Sequence, residues 1–145
     1  RAPRPGERDG EHYHFVDRAT FDRMVADGEL LEHAEYAGNC YGTPRQPVLD
    51  ALRAGMPTLL EIEVQGAMQI RAAMPDALLV MLVPPSWADL VSRLSGRGTE
   101  DPEIVARRLR RAREELDLVD AFDVTVVNDD VKSAADRLLT LLFGG

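Results

Sequence analysis

Three short runs of apolar residues limit what this chain can fold into. They cover residues 58–64, 78–83 and 124–127, and helical patterns separate them along the sequence. A strand that is apolar on both faces is typical of a sheet covered by helices on both sides. Strands that alternate with helices usually pair in parallel. The pattern therefore predicts an α/β fold with a parallel core sheet flanked by helices.

The region in front of the first apolar run has a different pattern. Alternation over residues 10–16 predicts a short strand, and residues 29–42 predict two strands joined by a turn at Gly38-Asn39. Thr20 is the predicted N-cap of a helix before this hairpin, and a second helix is expected over about 44–54. This region is therefore expected to be a mixed α+β unit rather than part of the parallel sheet.

Three more helices are expected around the later apolar runs. Ser86 is a candidate N-cap, Asp101-Pro102 begins the next helix, and the last helix runs from about Val131 to Phe143. Ligands of open α/β sheets bind beyond the carboxyl ends of the strands, so the polar residues that follow each run predict a cleft without naming its ligand. These residues are Glu61 and Glu63 with Gln65-Gly66, Pro84-Pro85-Ser86, and Asn128-Asp129-Asp130.

Charge and composition argue against several classes of function. The formal net charge of −8 disfavours broad electrostatic binding to nucleic acid or anionic lipid. No apolar run approaches the ~18 residues of a membrane span, so no membrane role is expected. Cys40 is the only cysteine, which excludes an internal disulfide and fits a reducing cytoplasm. We therefore expect a cytoplasmic protein with small-molecule ligands, and both a monomer and a homo-oligomer remain open.

The basic residues are almost all arginine, with Lys132 the only lysine. Arginine presents a planar fork that suits phosphate oxygens. A GC-rich genome that favours arginine codons explains the same bias equally well. The bias alone therefore does not establish a phosphate site.

The start of the chain carries a spaced motif, R-x-x-R-x-x-E-x-x-G-x-x-Y-x-F-V, which runs from Arg1 to Val16. It resembles the signature of the guanylate kinase family. Later blocks look like those of the family in the same order, so the resemblance covers the whole chain. These blocks are residues 31–34, 38–43, 60–66, 84–86, 93–98, 107–109 and 127–130.

The resemblance implies the P-loop nucleoside-monophosphate-kinase fold and the ATP-dependent phosphorylation of GMP to GDP. GMP and ATP are then the expected partners, and Mg²⁺ is the expected cofactor. The implied regions are 1–56 for GMP binding, 57–92 for the core, 93–112 for a helical lid, and 113–145 for the rest of the core with the C-terminal helix.

The GMP site implied by the resemblance has seven residues. A carboxylate accepts from both N1–H and the exocyclic amine of guanine, whereas adenine has an acceptor at N1 and lacks that amine, so Glu32 is expected to read the base. Arginine forks and phenol hydroxyls are suitable donors to a phosphate dianion. The implied phosphate ligands are Arg1, Arg4, Tyr13 and Tyr41, and the implied base contacts are Glu32, Thr43 and Glu61.

A second set of residues is implied for phosphate transfer, which needs alignment and neutralisation of charge rather than covalent chemistry by the protein. By resemblance, the catalytic residues are Arg93, Arg97 and Arg108 of the lid region. Glu63 is expected to act on Mg²⁺ through water, with no direct metal ligand in the chain, and Asn128 to lie near adenine. The Asn-Asp-Asp sequence at that point also suits a strand-to-helix turn.

The phosphate-binding loop of such kinases, G-x-x-x-x-G-K-[ST], has no match in the 145 residues. In the family this strand–loop–helix unit would precede Arg1, and we expect the 145 residues alone to hold GMP without transferring phosphate. Two alternatives stay open: a catalytically inactive guanylate-kinase-like protein-interaction module, and a kinase for another nucleoside monophosphate. Glu32 and the motif from Arg1 favour the GMP kinase.

Overall fold

The computed structural model describes residues 1–95 and 102–144. Within them the chain forms six α-helices and four β-strands, and it divides into the units Arg1–Ala77 and Leu78–Gly145. The first unit contains α1 (Arg18–Ala26), β1 (Leu30–Tyr36), β2 (Asn39–Pro44), α2 (Arg45–Arg53) and α3 (Val64–Ala73). The second contains β3 (Val80–Val83), α4 (Trp87–Ser95), α5 (Pro102–Leu116), a 3₁₀ turn (Val119–Ala121), β4 (Val124–Val127) and α6 (Val131–Phe143).

β1 and β2 form the antiparallel hairpin that the sequence predicts, with Glu32 opposite Thr43. The turn lies at Ala37 and Gly38, whose φ angles are 50° and 77°. Positive φ at both central residues is typical of turns that match the twist of antiparallel strands. The hairpin is therefore confirmed, with its turn one residue earlier than predicted.

Three helices of the first unit, α1, α2 and α3, contact β1. The side chains that fill this core are apolar, and removing them from water is the main force that holds the unit together. Because β1 lies at the centre of these contacts, its Glu32 is buried in the core as well. The buried apolar residues of the unit are Leu30, Leu31, Ala34, Val48, Ala67 and Ile70.

Side-chain caps determine where two helices begin. The Oδ1 of Asp17 accepts a 2.8 Å hydrogen bond from the backbone N of Thr20, so Asp17 is the N-cap of α1 and the prediction of Thr20 is wrong. Aspartate caps a helix at least as well as threonine. Before α4, Ser86 Oγ accepts a 3.0 Å bond from the backbone N of Asp89, as predicted.

Residues 10–16 do not form the predicted strand. Gly10 N donates a 2.7 Å hydrogen bond to Tyr13 O, and a bridge joins Asp9 to Tyr13. The Oδ1 of Asp9 also accepts a 2.7 Å bond from the backbone N of Phe15. Side-chain acceptors of this kind compete with strand pairing for backbone donors. The segment therefore turns on itself instead of extending along a neighbour.

In the second unit, β3 and β4 pair in parallel, with Val80 opposite Val124 and Val83 opposite Val127. This confirms the parallel pairing of the second and third apolar runs. Met81 and Val126 lie buried within the pair. The carboxyl ends of both strands therefore lie at the same edge.

The first apolar run does not form a strand in the described residues. Residues 58–63 lie outside every helix and strand, and α3 begins at Val64. The backbone of Glu63 is extended, with φ −69° and ψ 157°. A strand also needs a hydrogen-bonded neighbour, and neither described sheet pairs with this segment. The prediction of a third strand is wrong for this structure.

The long helices of the second unit agree with their predicted bounds. α5 begins at Pro102, and α6 runs from Val131 to Phe143. Asp130 caps α6 through a 2.9 Å hydrogen bond from the backbone N of Ser133 to its Oδ1. Among the described helices, none has the length and apolar character needed to cross a membrane.

Candidate active site

Glu32 is a buried carboxylate in β1. Only 5% of it is exposed, and it is the only charged residue buried in the described part of the chain. Burying a carboxylate costs free energy unless hydrogen bonds replace its lost water. Thr43, directly opposite in β2, donates a 2.7 Å hydrogen bond from Oγ1 to Glu32 Oε1. The hairpin register therefore brings two of the predicted base-contacting residues together.

Gly66 lies against the other carboxylate oxygen of Glu32. A Cβ at this position would overlap Glu32 Oε2 and lie 2.9 Å from Glu32 Cδ. Gly66 is the third residue of α3, so the carboxylate approaches the first turn of the helix. The positive end of the helix dipole favours an anion there. Only glycine leaves room for this approach.

Gln69, one turn further along α3, is hydrogen-bonded to the strand that carries Glu32. Its Nε2 donates to His33 O at 2.7 Å, and its Oε1 accepts from His33 N at 3.0 Å. Residues three apart on a helix share a face, so Gly66 and Gln69 both face β1. The two bonds fix the helix and the strand next to the buried carboxylate.

Arg1 is held in a cluster of charge and aromatic rings. Its Nη1 and Nη2 donate to the two carboxylate oxygens of Glu7 at 2.7 and 2.8 Å. Its guanidinium carbon lies 5.2 Å from the centre of the Tyr13 ring and 5.9 Å from that of Phe15. The Tyr13 ring meets Tyr41 edge-on, with centroids 6.3 Å apart. Three of the four predicted phosphate ligands, Arg1 and the two tyrosines, therefore belong to one cluster.

The charges of this cluster stabilise one another. The pKa of the Glu7 carboxyl falls from its ordinary value of 4.5 to about 2, first because of its hydrogen bonds with Arg1 and then because it accepts from the backbone of Arg4. The pKa of Arg1 rises above its usual range, chiefly because of Glu7, with a smaller contribution from the Tyr41 hydroxyl. Both members of the pair are therefore charged at neutral pH.

Arg4 lies at the start of a tight turn that ends at Glu7. Glu7 N donates to Arg4 O at 3.0 Å, and Gly6 in the turn has a φ of 89°. Arg4 N donates to Glu7 Oε2 at 2.6 Å, whereas the Arg4 residue as a whole is exposed. The turn places both predicted phosphate arginines around one carboxylate.

An open pocket of about 750 Å³ lies beside this cluster in the first unit. Its volume falls within the range of pockets that hold small molecules. Arg1, Tyr13, Tyr41 and Thr43 line it, so it adjoins both the Arg1 cluster and the hydrogen-bond partner of Glu32. Its other walls come from residues 12 and 14–18, Phe21 and Met24 of α1, Leu30, and residues 38–40, 42 and 44.

The second unit holds two predicted residues at the end of its parallel strands. Arg93 Nη2 donates a 3.0 Å hydrogen bond to the backbone O of Asn128, the residue that follows β4. Arg137 of α6 donates to Val127 O at 2.8 Å and to Asp129 Oδ2 at 3.0 Å. The pKa of Asp129 falls because it accepts from the backbone of Asp130 and, next, from Arg137. Arginines therefore fix the backbone where β4 ends.

A model of the guanylate kinase family matches residues 1–144. The chain belongs to the guanylate kinase family. It is 62% identical over 142 residues to the guanylate kinase of Thermobifida fusca, covering 98% of this chain and 72% of that protein. For the guanylate kinase of Frankia casuarinae, the identity is 60% over 144 residues, covering 99% and 78%. The crystal structure of guanylate kinase from Anaplasma phagocytophilum matches with a TM-score of 0.82 and 36% identity, covering 99% of this chain and 70% of that chain.

These matches confirm the predicted fold class, the α/β P-loop nucleoside-monophosphate-kinase fold with a parallel core sheet. Among the candidate guanylate kinase residues, the structure joins Arg1 with Tyr13 and Tyr41, Glu32 with Thr43, and Arg93 with Asn128. Glu63 is half-buried at the N-cap of α3, while Arg4, Glu61 and Arg108 are exposed. Arg97 lies outside the described residues.

Four residues that contact the candidate residues or their neighbours have no supporting role predicted from the sequence: Glu7, Gly66, Gln69 and Arg137. Glu7 could have been found, because it is the third fixed position of the front motif. Gly66 lies in a family block but carries no side chain whose chemistry points to a role. Gln69 and Arg137 bond to backbone groups of other elements, His33 of β1 and Val127 of β4, which their own helices do not reveal.

Proposed function

We propose that this chain carries the GMP site and the phosphate-transfer residues of an ATP-dependent guanylate kinase that converts GMP to GDP. Family membership over nearly the whole chain supports the activity. The observation that carries the proposal is the buried Glu32 carboxylate with Thr43 bonded to one of its oxygens. The matching relatives are named guanylate kinases, so the interaction-module alternative finds no support.

At the base, the Glu32 carboxylate is proposed to accept hydrogen bonds from N1–H and the 2-amino group of guanine. Thr43 and Glu61 complete the contacts. Adenine presents an acceptor at N1 and would leave the buried carboxylate with only the Thr43 hydroxyl as a donor, which is costly. The burial of Glu32 supports this role, because discrimination of this kind is strongest where water cannot replace the lost partner.

At the other end of the nucleotide, Arg1, Arg4, Tyr13 and Tyr41 are proposed to bind the GMP phosphate. The two arginines supply charge and forked donors, and the two hydroxyls supply neutral ones. The packing of Arg1 on Tyr13, and of Tyr13 against Tyr41, supports a common ligand for this cluster. A phosphate held at both the charged and the hydroxyl groups is fixed in position for attack on ATP.

For transfer, Arg93, Arg97 and Arg108 are proposed to neutralise charge on the transferring phosphoryl group, and Asn128 to lie near the adenine of ATP. The Glu63 carboxylate at the N-cap of α3 is a hard oxygen donor. Mg²⁺ in kinases typically combines one or two carboxylates with substrate phosphates and water, so this donor fits a water-mediated role. When bound, the ion offsets charge on the phosphates of ATP. A cytoplasmic location completes the proposal and suits a chain whose one cysteine, Cys40, is free.

The proposal is tested with the whole enzyme in a coupled assay of ADP and GDP formation from ATP and GMP. An enzyme that does not phosphorylate GMP would disprove it. Glu32→Gln keeps the size of the side chain but replaces one acceptor with a donor. We expect it to reduce the preference for GMP over AMP by about 10³-fold.

Glu35→Gln is the matched control for this substitution. Glu35 lies in the same strand but is exposed, so this substitution should leave the preference for GMP over AMP unchanged. An unchanged preference in Glu32→Gln would exclude the base-reading role while leaving the kinase activity in place.

A further inference from the structure

Glu7 fixes which edge of the Arg1 guanidinium is turned toward a ligand. A guanidinium has five N–H donors in one plane. Nη1 donates to Glu7 Oε2 and, at 3.1 Å, to Ala2 O, while Nη2 donates one hydrogen to Glu7 Oε1. These three bonds use both hydrogens of Nη1 and one hydrogen of Nη2. The hydrogens on Nε and the second on Nη2 lie together on its side edge, which is geometrically suited to two oxygens of a phosphate.

Aromatic rings hold the plane of the same guanidinium. Arg1 lies over Tyr13 and close to Phe15, and only 13% of its side chain is exposed. An arginine otherwise loses considerable rotamer freedom when it binds a ligand. Since the rings fix the plane and Glu7 fixes the rotation within it, most of that loss occurs before a ligand arrives.

The same carboxylate also holds Arg4. Its Oε2 accepts from Arg4 N at 2.6 Å as well as from Arg1 Nη1, and the turn between Arg4 and Glu7 is closed by the Glu7 N to Arg4 O bond. A single side chain therefore sets the distance between the backbone at Arg4 and the guanidinium of Arg1.

We propose that Glu7 is a positioning residue for the nucleotide phosphate, which it serves by holding the Arg1 guanidinium and the Arg4 turn in the arrangement that a phosphate dianion requires. The inference rests on the proposed role of Arg1 and Arg4 in GMP binding. A carboxylate near a phosphate site also repels the phosphate, and it could compete for Arg1. Positioning and competition predict opposite signs: removing the Glu7 charge weakens GMP binding in the first case and strengthens it in the second.

The test compares Glu7→Gln with Glu11→Gln in the whole enzyme. Glu11 pairs with Arg8 in the same segment, but both side chains are more than half exposed, which makes the pair a matched control. Binding of GMP and of guanosine is measured by calorimetry. We expect Glu7→Gln to weaken GMP binding by about tenfold, the scale of one charge-assisted hydrogen bond, and to change guanosine binding less than about twofold. The control should change neither.

A purely structural role would not produce that split between GMP and guanosine. Equal loss for both ligands, unchanged GMP binding, or tighter GMP binding in Glu7→Gln would each overturn the proposal. In steady-state kinetics, Glu7→Gln should raise the KM for GMP and leave the KM for ATP unchanged. Thermal unfolding of each variant separates loss of the fold from loss of the site.

A double-mutant cycle with Arg1→Ala shows whether Glu7 acts through Arg1. In that background Glu7→Gln should cost much less GMP affinity than it does alone, and additive losses would contradict the proposal. Glu7→Asp keeps the charge but shortens the side chain that reaches Arg1, so it should reproduce the split between GMP and guanosine even if Glu7→Gln does not fold. If the wild-type enzyme phosphorylates GMP and Glu7→Gln behaves like wild type, the inference about Glu7 is disproved and the proposed function stands.

Discussion

The two units hold their candidate residues in different ways. In the first unit Glu32 is 5% exposed, the Arg1 side chain is 13% exposed, and both are fixed by hydrogen bonds to other side chains. In the second unit Arg93 and Arg108 are exposed, and Arg93 is bonded to a backbone carbonyl. Two residues of the proposed GMP site, Glu32 and Arg1, are thus held in place by neighbouring side chains of the first unit. The transfer residues are expected to take their final positions when nucleotide is bound, as mobile parts of kinases do.

The largest effect that this comparison predicts is on the transfer side. Arg93→Ala should lower kcat by about 10³-fold, because it removes a charge that is proposed to act on the transferring phosphoryl group. GMP affinity, which is proposed to depend on residues of the first unit, should stay within about twofold of wild type. Steady-state kinetics and GMP titration measure the two quantities.

Arg110→Ala is the control for that prediction, because Arg110 is exposed on α5 and no role in the reaction is proposed for it. If Arg93→Ala lowered GMP affinity as much as it lowered kcat, the proposed division of roles between the two units would be wrong.

A smaller effect is expected in the first unit, at Gly66. In Gly66→Ala the new methyl group would collide with the Glu32 carboxylate and move it. A shift of about 1 Å in a positioning group can cost about 10²-fold, so kcat/KM for GMP should fall by that order while KM for ATP changes little. Gln65→Ala, at the exposed neighbouring position, is the comparison. Wild-type kinetics in Gly66→Ala would show that the carboxylate is not held as the structure has it.

The smallest effect concerns stability in acid. Because folding lowers the pKa of Glu7 from 4.5 to about 2, the stability it contributes is complete above pH 4.5 and is lost as the pH falls toward 2. Wild type should therefore lose stability more steeply than Glu7→Gln over that interval, and the two should run parallel above it. Urea unfolding at a series of pH values tests this. If the stabilities of the two proteins changed in parallel over the whole pH range, the Arg1–Glu7 ion pair would be mostly broken in solution.

The sequence predicted the elements whose signals are local. The hairpin of β1 and β2, the N-cap at Ser86 and the helix from Val131 to Phe143 follow from turn, capping and periodicity rules. The strands predicted over residues 10–16 and 58–64 failed for a physical reason. A strand depends on a neighbour elsewhere in the chain, and in the first case the Asp9 side chain accepts from a backbone donor instead.

The candidate site likewise contains residues that the sequence predicts and residues that only the structure reveals. The resemblance to the family implied Arg1, Glu32 and Thr43 as site residues before the fold was known. It did not reveal that Gly66 leaves room for Glu32 or that Gln69 fixes the neighbouring strand. Such supports depend on which helix packs on which strand, and only the fold shows that.

The Gln69 amide has a consequence for how copies of this protein behave toward one another. Exposed backbone groups at the edge of a sheet can pair with a strand from another molecule, which is a common start of aggregation. At His33 the donor and the acceptor that a foreign strand would need are both occupied by one side chain from α3. The contact that fixes the strand beside Glu32 therefore also closes β1, at this position, to addition of a further strand.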